Sequence, residues 1–418
     1  MGMTTKRFLF RTVALCAAWI AAQQVSAAAP PGYVDASTYG FNTTDATAAL
    51  QTAINTGQNV FVPNMGSDWN VTPITLTKDN QTILFESGVV VAAKAGAFLG
   101  DDVLFVAPDR QNVKMIGYGA TLKMRKSDYQ QSPYPFSEHR HGIVLGTVKD
   151  FEIRGLTIKD TGGDGIYVGG SGNLYSENVL IKDVKLDNNH RQGISVISAK
   201  DLTIDNAVIL NTNGTNPQAG IDFEPNFADQ RLENILVRNS ILNTNGSHGI
   251  LFATNNLSNP AQQVSGTIEN VTVMGNTGSG IKLNQTLPSV TIKDSLFVDN
   301  HDSGVEGEVV TFDLLVSGTS RTSIDYSAFW SNDDGAVSEW AKLGPGSFTN
   351  VQPLFHSTDV NSPYFMYLNS AVSASIAQGA GDGGYMGARP VFVPEPGMIS
   401  FAGVVVSTLL CGRRNRIQ

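Results

Sequence analysis

Between residues 142 and 305 a glycine followed by Ile or Val returns again and again: Gly142-Ile143, Gly165-Ile166, Gly193-Ile194, Gly220-Ile221, Gly249-Ile250, Gly280-Ile281 and Gly304-Val305. The steps are 23, 28, 27, 29, 31 and 24 residues. Each unit continues into a second alternating run, such as Asp201-Leu202-Thr203-Ile204, and often a third, such as Ala207-Val208-Ile209-Leu210. Polar turns then close the unit, among them Asp187-Asn188-Asn189, Asn243-Thr244-Asn245 and Gly275-Asn276-Thr277. Three short strands per repeat without a helix between them predict an all-β, single-domain parallel β-helix. Coils would stack at ~4.8 Å, with Ile, Val and Leu inward and Asn side chains laddered at one corner. A propeller needs longer units, and a leucine-rich repeat would show its leucine frame.

A solenoid has to close its ends. Residues Thr44 to Asn55 place Ala46, Leu50, Ala53 and Ile54 on one helical stripe, with Thr43 or Thr44 as N-cap. The cap is therefore expected over 33–58, the clearest repeats over 139–305 and the closing coils over 306–390. The segment from Tyr39-Gly40-Phe41-Asn42 to Pro63 resembles the opening of pectate-lyase-superfamily β-helix proteins, where a short helix caps the solenoid. Val351 to Phe355 and Ala377 to Arg389 resemble closing coils of bacterial right-handed β-helices. The resemblance spans most of 33–390 and implies a right-handed parallel β-helix. It leaves the chemistry open, because that superfamily holds lyases, hydrolases, epimerases and non-catalytic surface proteins.

Of the 418 residues, 41% are hydrophobic, only 16% are charged and 42 are glycine, a turn- and strand-rich composition. The net charge of −9 argues against a nucleic-acid partner. Two cysteines, Cys16 and Cys411, cannot build a disulfide framework or a zinc cluster. Both lie in end segments with their own pattern. Lys6, Arg7 and Arg11 precede an apolar run from Thr12 to Ala22 and the small residues Val25-Ser26-Ala27, which reads as a secretory signal peptide over 1–27. Pro394-Glu395-Pro396, the apolar run Met398 to Cys411 and Arg413, Arg414 and Arg416 resemble the PEP-CTERM sorting signal of Gram-negative bacteria. That resemblance implies an exosortase-type processing enzyme as partner, transient membrane association through 394–418, and export to the cell surface or the medium. The body, 28–393, carries −14 and no cysteine, and is expected to be a monomer.

Candidate chemistry follows from strand parity. With Ile inward, the second residue after each glycine points outward, giving the column Val144, Tyr167, Ser195, Asp222, Leu251, Lys282 and Glu306. Glu224 shares that parity, and Asp164, His190, Arg191 and His248 stand just before the glycines. Asp222 and Glu224, two residues apart on one strand at ~6.5–7 Å between Cα atoms, suit an acid/base pair for glycosidic chemistry. Asp164, His190 and His248 are further catalytic candidates, and Arg191, Tyr167, Arg140 and Lys282 candidate sugar contacts. Each has a plainer reading: Asp164 as a turn residue, Asp222 and Glu224 as a solvated strand face, the histidines as corner residues, Tyr167 as a stacking surface. His139 and His141 are read as groove lining at best, and His301 and His356 carry no signal.

GGDG, NHRQG and GSHG are faintly similar to polygalacturonase motifs, but Arg191-Gln192 replaces that family's paired acids. GIDFEPN is similar to a segment of β-helix mannuronan epimerases, with Asn226 where a histidine would be wanted. No metal is required by these residues, although Asp164, Asp222 and Glu224 offer oxygen ligands of the kind Ca²⁺ takes. The expectation is a polysaccharide-cleaving enzyme without an obligatory cofactor. A lyase or uronate epimerase and a non-catalytic glycan-binding solenoid are the alternatives.

Overall fold

The structure, a computed structural model, describes residues 27–285, 287–307, 322–338, 341–349 and 351–393. Apart from Ala27, the expected signal peptide and the sorting segment lie outside the described residues. Every strand of the three sheets pairs in parallel, and each of the nine coils from Asn59 to Gly307 donates one strand to each sheet. The sheets have twelve, nine and ten strands among the described residues.

The Gly-Ile strands form the nine-stranded sheet. Ile143, Ile166, Ile194, Ile221, Ile250, Ile281 and Val305 stack in register, all fully buried. Burying each such side chain is worth about 1.5–3 kcal/mol, so the column is a principal stabilising feature. Phe223 and Phe252 stack beside it with ring centroids 4.6 Å apart. The glycine before each isoleucine has a steric cause. A Cβ at Gly220 would lie 2.6 Å from the Gly249 carbonyl, closer than any real contact.

The corners explain the polar repeats. Asp160, Asn188, Asn211 and Thr244 take left-handed conformations (φ 54° to 57°) that turn the chain between sheets, a conformation Asn and Asp tolerate best after glycine. One residue further on, the buried amides of Asn245, Asn276 and Asn300 form the expected ladder. Each Nδ2 donates to the next Oδ1 at 2.9 Å, ending on Asn332.

The cap forms with a later start than expected. The helix runs Thr47–Asn55 and buries Leu50, Ala53 and Ile54, with Ala46 buried just ahead of it. Neither Thr43 nor Thr44 caps it. The Asp45 carboxylate instead accepts the Thr47 N–H at 3.0 Å and pairs with Lys94 at 2.6 Å, which holds its pKa down at about 2.

The closing end needs a larger correction. Coils continue through the strands Thr322–Asp325, Ala328–Trp330 and Ala341–Leu343. Residues 351–393 then add no strand to the sheets but run back along the outside of the ten-stranded sheet. Phe365, Met366 and Ala388 pack on Leu210 and Ile241, and Leu368, Ile376 and Met386 on Leu296, Val298 and Ala328. The Ala388 N–H donates to Thr272 Oγ1 at 2.9 Å, fastening the segment to the coils. Apolar outward residues on those strands supply the driving force. No helix among the described residues is long and apolar enough to cross a membrane.

Candidate active site

On the nine-stranded sheet the outward column has the expected order: Val144, Tyr167, Ser195, Asp222, Leu251, Lys282 and Glu306 are successive neighbours across coils. Leu251, 7% exposed, splits its polar members into two clusters.

The first cluster is built around Arg191. Its Nη1 and Nη2 donate to the two oxygens of Glu224 at 2.8 and 3.0 Å, a bidentate pair. The same Nη1 reaches Asp164 Oδ2 at 3.5 Å, and Nε lies 3.5 Å from Glu138. Ser195 Oγ donates to Glu224 at 2.8 Å, and Gln192 Nε2 donates to Asp222 Oδ2 at 2.6 Å. Asp164 and Asp222 are fully buried, and Oδ1 of each has no hydrogen-bond partner. Burial raises the pKa of both well above the usual carboxylate value. For each the Glu224 charge adds to the effect and the Arg191 charge opposes it. A proton on Asp222 also makes chemical sense of its contact with Glu224, since two bare carboxylates cannot hydrogen-bond.

His141, read from the sequence as lining at best, belongs to this cluster. Its Nδ1 accepts the Asp164 N–H at 2.8 Å and lies 3.3 Å from Asp164 Oδ2. Burial drives its pKa down to about 3, so the ring is neutral, and the accepted bond leaves the hydrogen on Nε2. The ring stacks on Tyr167 at 5.3 Å, and burial pushes that phenol up to about 12. Gln192 and Ser195 were also missed as donors. The alternating pattern places Ser195 beside Asp222, so register could have flagged it.

A cavity of about 410 Å³ adjoins Tyr167, walled by Val106, Pro108, Ile197 and the half-exposed Phe227. The buried Gln230 shapes it. Its Oε1 accepts the N–H groups of Asn226 (2.6 Å) and Phe227 (3.0 Å), while Nε2 donates to the Gly170 carbonyl at 3.1 Å.

Four expected residues, His190, Arg140, His248 and Lys282, lie elsewhere. His190 sits in a corner, with Nε2 2.9 Å from Thr215 Oγ1 and Nδ1 3.4 Å from Gln130, and burial lowers its pKa. Arg140 does not line a groove. Fully buried, it donates to the carbonyls of Phe98 (2.7 Å) and Pro135 (2.8 Å) and covers the Tyr129 ring at 5.2 Å. His248 falls in the second cluster, with Lys282, Ser279, Asp302 and Glu306. There its Nδ1 accepts the Ser279 N–H at 3.0 Å, Lys282 Nζ lies 3.5 Å from Glu306, and Ser279 Oγ donates to the other Glu306 oxygen.

Neither cluster suits a metal well. In the first, the guanidinium of Arg191 fills the point where Asp164 and Glu224 converge, so these oxygens do not fit Ca²⁺ in this arrangement. In the second, His248, Asp302 and Glu306 bring ligand-type atoms within 4.8 Å of one another. The Ser279 bond, however, takes the Nδ1 lone pair and leaves Nε2 as the protonated nitrogen.

Residues 141–309 match the family model described as right handed beta helix region. With the three parallel sheets, this match shows a right-handed parallel β-helix fold. Among solved structures, it is similar to the catalytic unit of a thermostable GH87 alpha-1,3-glucanase from Streptomyces thermodiastaticus. That match has 15% identity and a TM-score of 0.50, covering 77% of this chain and 70% of the other. A mutant tailspike protein of E. coli bacteriophage HK620, in complex with a pentasaccharide, matches at 13% identity and a TM-score of 0.51, covering 75% and 65%. The A-module of a mannuronan C-5 epimerase from Azotobacter vinelandii matches at 16% identity and a TM-score of 0.42, covering 77% and 98%. At these identities the likeness is one of fold. Comparison with curated protein sequences gave no match.

Proposed function

We propose that the protein is an exported, carbohydrate-active enzyme that hydrolyses a glycosidic bond of a polysaccharide at the Arg191-centred cluster. One observation carries this reading. Two fully buried carboxyl groups, Asp164 and Asp222, hold raised pKa values beside a third carboxylate, Glu224, that reaches the surface. Pairing a carboxyl of raised pKa with a second carboxylate is what glycosidic cleavage requires.

Glu224, 18% exposed, is the member that would meet the substrate, since Asp222 and Asp164 have no exposed surface. Asp222 would keep a proton within reach of Glu224. That proton passes to the leaving glycosidic oxygen as the C–O bond breaks, water adds its hydroxyl to the anomeric carbon, and the proton left from water returns to the carboxylates. Arg191 and Ser195 position Glu224, and the cavity between Tyr167 and Phe227 would receive an adjoining sugar ring. Neutral glycans are favoured over uronates here, because Arg191 is already engaged by Glu224 and Asp164. Elimination or epimerisation would need that cation for the substrate carboxylate.

The second reading is a non-catalytic glycan-binding solenoid, favoured by the closure of the cluster, with Arg191 only 15% exposed. Export, processing at both ends by a signal peptidase and an exosortase-type enzyme, and transient membrane association are part of the proposal. They rest on the end segments alone. The test is incubation of the purified chain with neutral and uronate polysaccharides. Reducing ends without the absorbance of an unsaturated uronate support hydrolysis. Activity that survives Glu224→Gln removes this site, and retention of a glycan without turnover supports the binding reading.

A further inference from the structure

On another face, a groove of about 720 Å³ separates the returning C-terminal segment from the coils beneath it. Lys182, Lys185 and the carboxylates of Asp183 and Asp205 line it from the coils, and Tyr367, Tyr385 and Arg389 from the segment. Arg389 is largely removed from water, and burial lowers its pKa. Its hydrogen bonds leave from Nη1 alone, to the carbonyls of Asn239 (2.9 Å) and Ala388 (3.0 Å). Nε and Nη2 remain as donors beside the groove. Among the described residues no carboxylate forms an ion pair with it. Asp183, the acid whose charge acts on it, already accepts from the Tyr118 hydroxyl and the Asn206 amide, both at 2.6 Å. Lys182 is committed to Asp205 at 3.3 Å.

A half-buried guanidinium held only by carbonyl dipoles leaves part of its desolvation cost uncompensated, and a planar anion would offset it. The free side of the fork matches a carboxylate bidentately. Tyr367 and Tyr385 add flat apolar faces with polar tips, which match the two-sided polarity of a sugar ring.

We propose that the groove binds an acidic saccharide, with the carboxylate of a uronic acid unit on Arg389 and its ring against the tyrosines. It is a site separate from the carboxylate cluster and independent of the reaction proposed there. The test is calorimetric titration of the full chain with an oligouronate, a neutral oligosaccharide of equal length and acetate. A Glu224→Gln background keeps turnover at the other site out of the signal. The oligouronate should bind, about tenfold or more tighter than either control, and Arg389→Gln should weaken it by about tenfold or more. Lys185→Gln, on the coil side, should weaken it by about threefold and serves if Arg389→Gln fails to fold. No binding of the oligouronate, equal binding of the neutral oligomer or acetate, or an affinity indifferent to both substitutions would overturn the proposal.

Discussion

Two polar clusters occupy the same outward column on either side of Leu251, built from the same kinds of residue, yet they differ in what their charges can do. Around Arg191, Asp164 and Asp222 are wholly buried and only Glu224 reaches the surface. Around Lys282, the partner Glu306 keeps 25% of its side chain exposed, and the contact is a plain ion pair at 3.5 Å. Depth is the difference. In a dry pocket, burial raises the pKa of Asp164 and Asp222 despite the nearby Arg191 cation, whereas the second cluster keeps more of its partner carboxylate in water. The lesson is that the column supplies functional groups and the residues covering it decide their chemistry. Gln192 and Arg191 do this for Asp222.

The comparison is broken most readily at the cations. Arg191→Met should cost about 3–5 kcal/mol of unfolding free energy in urea, because the largely buried Glu224 loses its bidentate partner, while Lys282→Met should cost about 0–1 kcal/mol. Equal losses would mean that the clusters are alike.

Activity should separate them next. With a polysaccharide substrate in hand, Glu224→Gln should lower the rate of reducing-end release by about a hundredfold or more, and Glu306→Gln by no more than about twofold. The reverse order would move the reaction to the second cluster.

A smaller effect sharpens the electrostatics. The folded-state pKa of Asp222 is raised, so the folded protein binds the extra proton, and stability falls as pH rises from the ordinary value of 3.8 towards the raised one. Asp222→Asn should remove that fall and leave the neutral-pH melting temperature equal or higher. A variant that melts lower at neutral pH and keeps the slope would show that Asp222 is ionised.

The smallest effect belongs to the exposed pair at the cap. The Asp45 pKa is lowered to about 2, so its contribution is full above 3.8 and lost as pH falls through about 2. Asp45→Asn should cost about half a kcal/mol or less, since both partners are more than a third exposed.

Much of this architecture was legible because strand parity leaves little freedom. Once Ile221 is inward, Asp222 is outward, and stacking carries Tyr167, Ser195 and Lys282 to the same column. The Asn ladder could be read for the same reason, since one corner recurs in every coil. What escaped depends on residues distant in the chain. His190 turns away because Gln130 and Thr215, 60 and 25 residues off, hold its ring. Arg140 is consumed by carbonyls of the Phe98 and Pro135 loops. The burial of Asp222 needs Gln192 from another coil, 30 residues away. The run AQGAGDGGYMGAR has too little alternation to separate a closing coil from a segment that folds back. The decision rests with outward apolar residues such as Leu210, Ile241 and Leu296. The helix starts late, with Ala46 at the N-cap, and Asp45, held by Lys94 49 residues on, accepts the Thr47 N–H from just outside it.

The central claim is that Asp222 and Asp164 hold protons at neutral pH, and infrared difference spectroscopy addresses it directly. Spectra of the folded protein minus Asp222→Asn, and minus Asp164→Asn, should each show a protonated-carboxyl C=O band at neutral pH that persists well above the ordinary carboxylate range. Difference spectra carrying only ionised-carboxylate bands at neutral pH would contradict the account.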